Sequence, residues 1–127
     1  MLALVVDDDP RTLDATSLLL ASWGCRIVTA RTAQEAREVA VAQESLPEVL
    51  VVDYDLGAGP NGIDVIDSIE SSFGRKIPTL LLSSDSGLAL ERDSAERGLR
   101  VLYKPVPPSL LRAAFDAATR TGASTRR

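Results

Sequence analysis

The chain has 127 residues, 45% apolar and 25% charged, which suits one globular domain able to bury a core without disulfides or metals. A net charge of −4 and a pI of about 4.8 argue against nonspecific nucleic-acid binding, which needs a basic surface. One cysteine and no histidine exclude an internal disulfide and any Ser-His-Asp or Cys-His catalytic group, and they fit a reducing, cytoplasmic setting.

Leu2–Val6 is a continuous apolar run, as expected of a strand buried on both faces, and it ends in Asp7-Asp8-Asp9. Its start lacks the basic residues and long apolar stretch of a signal peptide. Asp9-Pro10 reads as an N-cap followed by proline at the first helical position. Leu13, Thr16 and Leu20 then share one face of a helix that Gly24 stops. Arg26–Thr29 is a second strand. Thr32 and Glu35 have capping-box spacing ahead of a helix with Ala36, Val39 and Ala40 inside. Val49–Val52 is a third strand, ending in Asp53. Gly62, Val65, Ile66 and Ile69 mark a third helix that ends near Gly74. Thr79–Leu82 is a fourth strand, ending in Ser83-Ser84. Ser86–Arg97 is a weaker helix closed by Gly98, with Ser84 and Ser86 read as turn and cap residues. Val101–Tyr103 is a fifth strand, ending in Lys104-Pro105. Pro108 opens a last helix with Leu111, Ala114, Phe115 and Ala118 inside. Residues 1–120 form one domain, and Thr121–Arg127 reads as a flexible C-terminal tail. No run is apolar enough to cross a bilayer.

This order predicts an α/β fold, a (βα)5 doubly wound five-stranded parallel sheet. Such sheets bind ligands beyond the carboxyl ends of their strands. Those ends carry Asp7, Asp8, Asp53, Ser83 and Lys104. Clustered carboxylates repel unless a cation neutralises them, and oxygen ligands suit a hard ion such as Mg²⁺. A nearby lysine supplies a point charge for phosphate, and a serine hydroxyl can donate to a phosphoryl oxygen. Phosphoryl transfer needs mainly positioning and charge neutralisation, and a carboxylate can be its nucleophile.

The segments Val5-Val6-Asp7-Asp8-Asp9-Pro10, Val51-Val52-Asp53, Leu82-Ser83-Ser84 and Lys104-Pro105 resemble, in order and spacing, the signatures of response-regulator receiver domains. The resemblance implies a flavodoxin-like strand order 2-1-3-4-5 and phosphoryl transfer from phosphohistidine to Asp53. It implies that Asp8 and Asp53 bind Mg²⁺ directly, Asp7 mostly through water, and Asp55 through its backbone carbonyl. Ser83 would contact the phosphoryl group, Lys104 would pair with it or with Asp53, and Pro105 would follow a cis peptide. The implied partner is a sensor histidine kinase or histidine phosphotransfer domain, with no direct nucleic-acid or membrane contact. The implied chemistry is self-phosphorylation and dephosphorylation without turnover of a metabolite. The family also implies a homodimer face around helix four, strand five and helix five.

Two features depart from the commonest family pattern. Val101 stands where an aromatic residue is usual, with Tyr103 the only aromatic on that strand. The loop Asp55–Gly62 has Gly57 in place of a frequent proline and one additional residue. That longer loop resembles receivers attached to hybrid sensor histidine kinases.

Several residues have plainer readings. Asp9 is a helix cap, Asp55 and Asp85 are exposed loop acids, Cys25 is a small apolar filler and Trp23 a packing or surface residue. Arg75, Lys76 and Arg126-Arg127 are solvated charges. Gly57, Gly59 and Gly62 lack the lysine and hydroxyl residue of a phosphate-cradling loop. Two other function classes remain to be weighed. Asp53-Tyr54-Asp55 has the Asp-x-Asp pattern of haloacid-dehalogenase-type phosphatases, but Gly57 replaces their usual Thr or Val and the chain is short for that family. A phosphorylation-independent interaction module would have no need of the acid–serine–lysine set.

Overall fold

The computed structural model describes residues 1–43 and 46–125, the last five as backbone only. Five strands and five helices alternate: β1 (Leu2–Val6), α1 (Pro10–Ser22), β2 (Arg26–Ala30), α2 (Ala33–Ala42), β3 (Val49–Asp53), α3 (Gly62–Phe73), β4 (Thr79–Ser83), α4 (Leu88–Glu96), β5 (Arg100–Tyr103) and α5 (Pro108–Thr125). All strand pairs are parallel, in the order β2-β1-β3-β4-β5. The expected fold class and strand order are both observed.

Alternation along the strands divides the core between the two faces of the sheet. Leu4 and Val6, Leu50 and Val52, and Leu81 pack with Ala36 and Ala40 of α2 and with Ile66 and Ile69 of α3. Ala3 and Val5, Val49 and Val51, and Leu80 and Leu82 pack on the other face with Leu13 and Leu20 of α1 and Leu111, Ala114 and Phe115 of α5. Every residue of β1, β3 and β4 is buried, which accounts for their unbroken apolar runs.

Local chemistry sets the helix ends. Asp9 caps α1 by accepting from the Arg11 N–H. Thr32 caps α2 through the Glu35 N–H. The reciprocal capping box lies at α3, where Asn61 and Asp64 exchange bonds at 3.0 Å each way. Gly74 closes α3 in the left-handed conformation at φ +66°. Helix α4 begins at Leu88, two residues after Ser86, with Gly87 at the N-cap and no side chain there to cap it. The cap reading of Ser86 is therefore corrected. Helix α5 continues through Thr125, into the segment read as a tail; Arg126-Arg127 lie outside the described residues.

Two plain readings hold with added detail: Lys76 is exposed and Trp23 is a packing residue. The Lys76 Nζ lies 3.7 Å from the buried carboxylate of Glu70. Glu70 also accepts from the Ile77 N–H at 2.8 Å, tying the end of α3 to the entry of β4. Trp23 packs on Phe115 with ring centres 5.2 Å apart, and the Arg112 guanidinium lies 4.8 Å over the indole.

Candidate functional site

The carboxyl ends of β1 and β3 are neighbours because the two strands pair in register, Val6 beside Val52. Asp7 and Asp53 directly follow those residues, so both carboxylates emerge at one edge of the sheet. Asp7, Asp8 and Asp53 each offer a carboxylate oxygen within 4.8 Å of the others. Asp7 and Asp53 are buried and Asp8 is exposed. Such a trio opening at one corner fits a hard cation that keeps some of its water.

Lys104 arrives from the other side. Its N–H donates to the Ser83 carbonyl at 2.8 Å, extending β5 by one step along β4. Its Nζ then lies 3.2 Å from Asp7 Oδ2 and 3.3 Å from Asp53 Oδ1. The bond to Pro105 is cis. Asp7 also accepts from the Asp9 N–H at 2.9 Å, which fixes the acidic turn.

Burial pushes the Asp53 carboxyl up to about 6, and the neighbouring Asp7 charge adds to this against the pull of Lys104. Burial alone lowers the pKa of Lys104, but the Asp53 and Asp7 charges outweigh it and raise the value. Lys104 pairs with two of the three acids and leaves Asp8 without it, so a cation would relieve the remaining repulsion.

Ser83 is the last residue of β4 and is buried. Its hydroxyl donates to the Asp85 carbonyl and accepts from the Asp85 N–H, both at 2.9 Å. Asp55 Oδ1 accepts from the Gly57 N–H at 3.1 Å, so that carboxylate shapes its own loop instead of joining the trio. Gly57 has φ +81°, and a Cβ there would lie 3.7 Å from Asp8 Oδ2. The additional-residue loop therefore passes close beside the acids. Gly62 is packed so tightly under β3 that a Cβ would overlap the Asp53 carbonyl oxygen and the Tyr54 Cα.

Val101 is half-buried and packs on the α2–α3 side of the core. Tyr103 is exposed, with its hydroxyl 3.5 Å from Glu91 of α4. Helix α4 is tied to α3 by Arg97, whose Nε and Nη2 donate to Asp67 at 2.8–3.1 Å.

Sequence reasoning did not single out Arg31. It directly follows β2, and its Nη2 donates to the Asp8 carbonyl at 3.3 Å. The signal was its place beside β1: Ala30 accepts from the Asp7 N–H at 3.1 Å, so the next residue falls next to the acidic turn.

The response regulator receiver domain model matches residues 3–116. The chain belongs to the response-regulator receiver family. Solved receivers share the fold. A response regulator receiver protein from Pseudomonas putida is 28% identical, with a TM-score of 0.80 over 91% of this chain and 95% of that one. A receiver domain protein from Clostridium thermocellum superimposes at a TM-score of 0.83 with 21% identity, over 95% of both chains. The chemotaxis protein CheY4 of Vibrio cholerae gives 0.81 at 21% identity, over 92% of this chain and 97% of that one. No curated protein sequence matches the chain. No helix among the described residues is long and apolar enough to cross a membrane. Membership places the chain in two-component signalling and disfavours the haloacid-dehalogenase reading.

Proposed function

We propose that this receiver domain takes a phosphoryl group onto Asp53 in a Mg²⁺-dependent reaction. The observation that supports this most is the trio Asp7, Asp8 and Asp53 with one lysine bound to two of its members. An Asp53 carboxylate oxygen attacks the phosphorus of a phosphohistidine. The phosphorus–nitrogen bond breaks, and the imidazole leaves with its electron pair. Asp8 and Asp53 would hold the cation directly, Asp7 would act through water, and the Asp55 backbone carbonyl would complete the protein ligands. The bound ion supplies charge neutralisation at the phosphoryl oxygens. Lys104 keeps its place and exchanges its Asp53 partner for a phosphoryl oxygen. Ser83 must turn its hydroxyl from the Asp85 carbonyl to donate to the phosphoryl group, which releases the turn ahead of α4. A local charge event thereby reaches a helix.

The donor is a sensor histidine kinase or a histidine phosphotransfer domain. A cavity of about 670 Å³ beside Lys104, between Arg11, Ala15 and Leu19 of α1 and Pro105, Val106 and Leu111, offers it an apolar seat next to the reacting groups. The additional residue in the Asp55–Gly62 loop is what supports a hybrid sensor kinase as the parent protein. Exposed Leu88, Tyr103 and Leu110 support a homodimer through α4, β5 and α5.

Intact mass after incubation with acetyl phosphate tests the reading. We expect a gain of one phosphoryl group that is lost in EDTA and in Asp53→Ala. No gain in the wild type with Mg²⁺ present, together with no binding of beryllofluoride, favours the phosphorylation-independent interaction module.

A further inference from the structure

We propose that Arg31 is a positioning residue at the mouth of the site, one that weakens cation binding and draws the anionic phosphodonor in. The inference rests on the phosphoacceptor reading of Asp53. Its basis is geometric. The guanidinium reaches across from the end of β2 and donates one N–H to the Asp8 carbonyl at 3.3 Å. The strand that carries it is bonded to the acidic turn one residue earlier, through Asp7 N–H to Ala30 carbonyl. The backbone just before Arg31 is thus fixed against the acidic turn, and its guanidinium is bonded to Asp8.

The remaining guanidinium N–H groups are not used on Asp8, and Arg31 is exposed. Its surroundings give that charge a use. Asp8 is exposed within the trio, and Asp9, Asp55 and Asp85 are exposed on the segments that follow β1, β3 and β4, so this edge of the sheet repels a dianionic donor. Lys104 is committed to the buried pair Asp7 and Asp53. Arg11 faces the neighbouring cavity. Arg31 is thus the cation attached directly to the acidic turn on its solvent side. The planar, permanently charged guanidinium suits phosphate.

A charge in this place acts in opposite directions on the two ligands. It repels the divalent cation and attracts the phosphoryl donor. At several ångströms, through solvent and with physiological screening, each effect is about threefold. A residue that merely braced the loop would, on removal, loosen Asp8 and weaken both steps together.

The test uses the whole chain as wild type, Arg31→Gln and Arg31→Lys. Mg²⁺ affinity is measured by titration calorimetry, and phosphorylation by intact mass over time at saturating Mg²⁺ and subsaturating acetyl phosphate. We expect Arg31→Gln to bind Mg²⁺ about threefold more tightly yet to phosphorylate about threefold more slowly, with a flatter dependence on salt. Arg31→Lys should restore both values towards the wild type. Parallel loss of affinity and rate in Arg31→Gln, or no change in either, would overturn the inference while leaving the phosphoacceptor reading intact. Failure of the wild type itself to take up phosphate would instead remove that reading.

Discussion

Asp53→Asn should stabilise the metal-free protein at neutral pH. The Asp53 carboxyl titrates near about 6 in the fold against an ordinary value of 3.8, chiefly because it is buried and also because Asp7 stands beside it. A displacement of that size is worth about 3 kcal/mol between ionised and neutral forms. The site opens to solvent at Asp8, and screening there brings the expected gain to about 1–2 kcal/mol. The direction with pH follows from a raised acid pKa. Above pH 6 the folded protein carries the full burden of ionised Asp53. As pH falls from 6 towards 3.8 the fold takes up a proton that the unfolded chain does not yet bind, and the burden fades. The advantage of asparagine should therefore be largest at pH 7 and smaller at pH 5. Added Mg²⁺ should reverse the ranking, since a ligand at a hundred times its Kd stabilises the wild type by about 2.7 kcal/mol. Urea unfolding of both proteins in EDTA and in Mg²⁺, at the two pH values, measures all of this. An Asp53→Asn protein less stable than wild type in EDTA at pH 7 would refute the reasoning, because ionised Asp53 would then be stabilising the fold.

Three further perturbations have defined outcomes. Lys104→Ala leaves Asp7 and Asp53 buried without their shared cation. It should lower metal-free stability by about 2–3 kcal/mol at pH 7, less at pH 5, in the same urea assay. Gly62→Ala forces a methyl into the Asp53 carbonyl and the Tyr54 Cα, so it should cost about 1–3 kcal/mol and slow acetyl-phosphate uptake measured by mass. Arg97→Ala removes a partly exposed fork to Asp67. It should change global stability by less than about 1 kcal/mol while speeding amide exchange in α4.

The sheet was legible because burial on both faces leaves an unambiguous sequence trace. Leu2–Val6, Val49–Val52 and Thr79–Leu82 are apolar without alternation, and the strands formed there are wholly buried. The acids and lysine were legible for a related reason, since a parallel sheet places every strand end at one edge. Departures arose where the outcome depends on a partner distant in sequence. Lys76 is exposed as expected, but nothing near it announces the buried carboxylate of Glu70 beneath it. Helix α4 starts late because the Ser83 hydroxyl and the Asp85 backbone form a turn of their own. Arg31 was invisible because an arginine after a strand is ordinary until the neighbouring strand proves to carry the site.

Trapping the acyl phosphate identifies its position most directly. The protein is phosphorylated from a phosphohistidine donor in Mg²⁺, reduced with borohydride and mapped by peptide mass spectrometry. Homoserine is expected at residue 53 and nowhere else. Homoserine at another acid of the cluster, or none despite phosphate uptake by the chain, would contradict Asp53 as the acceptor.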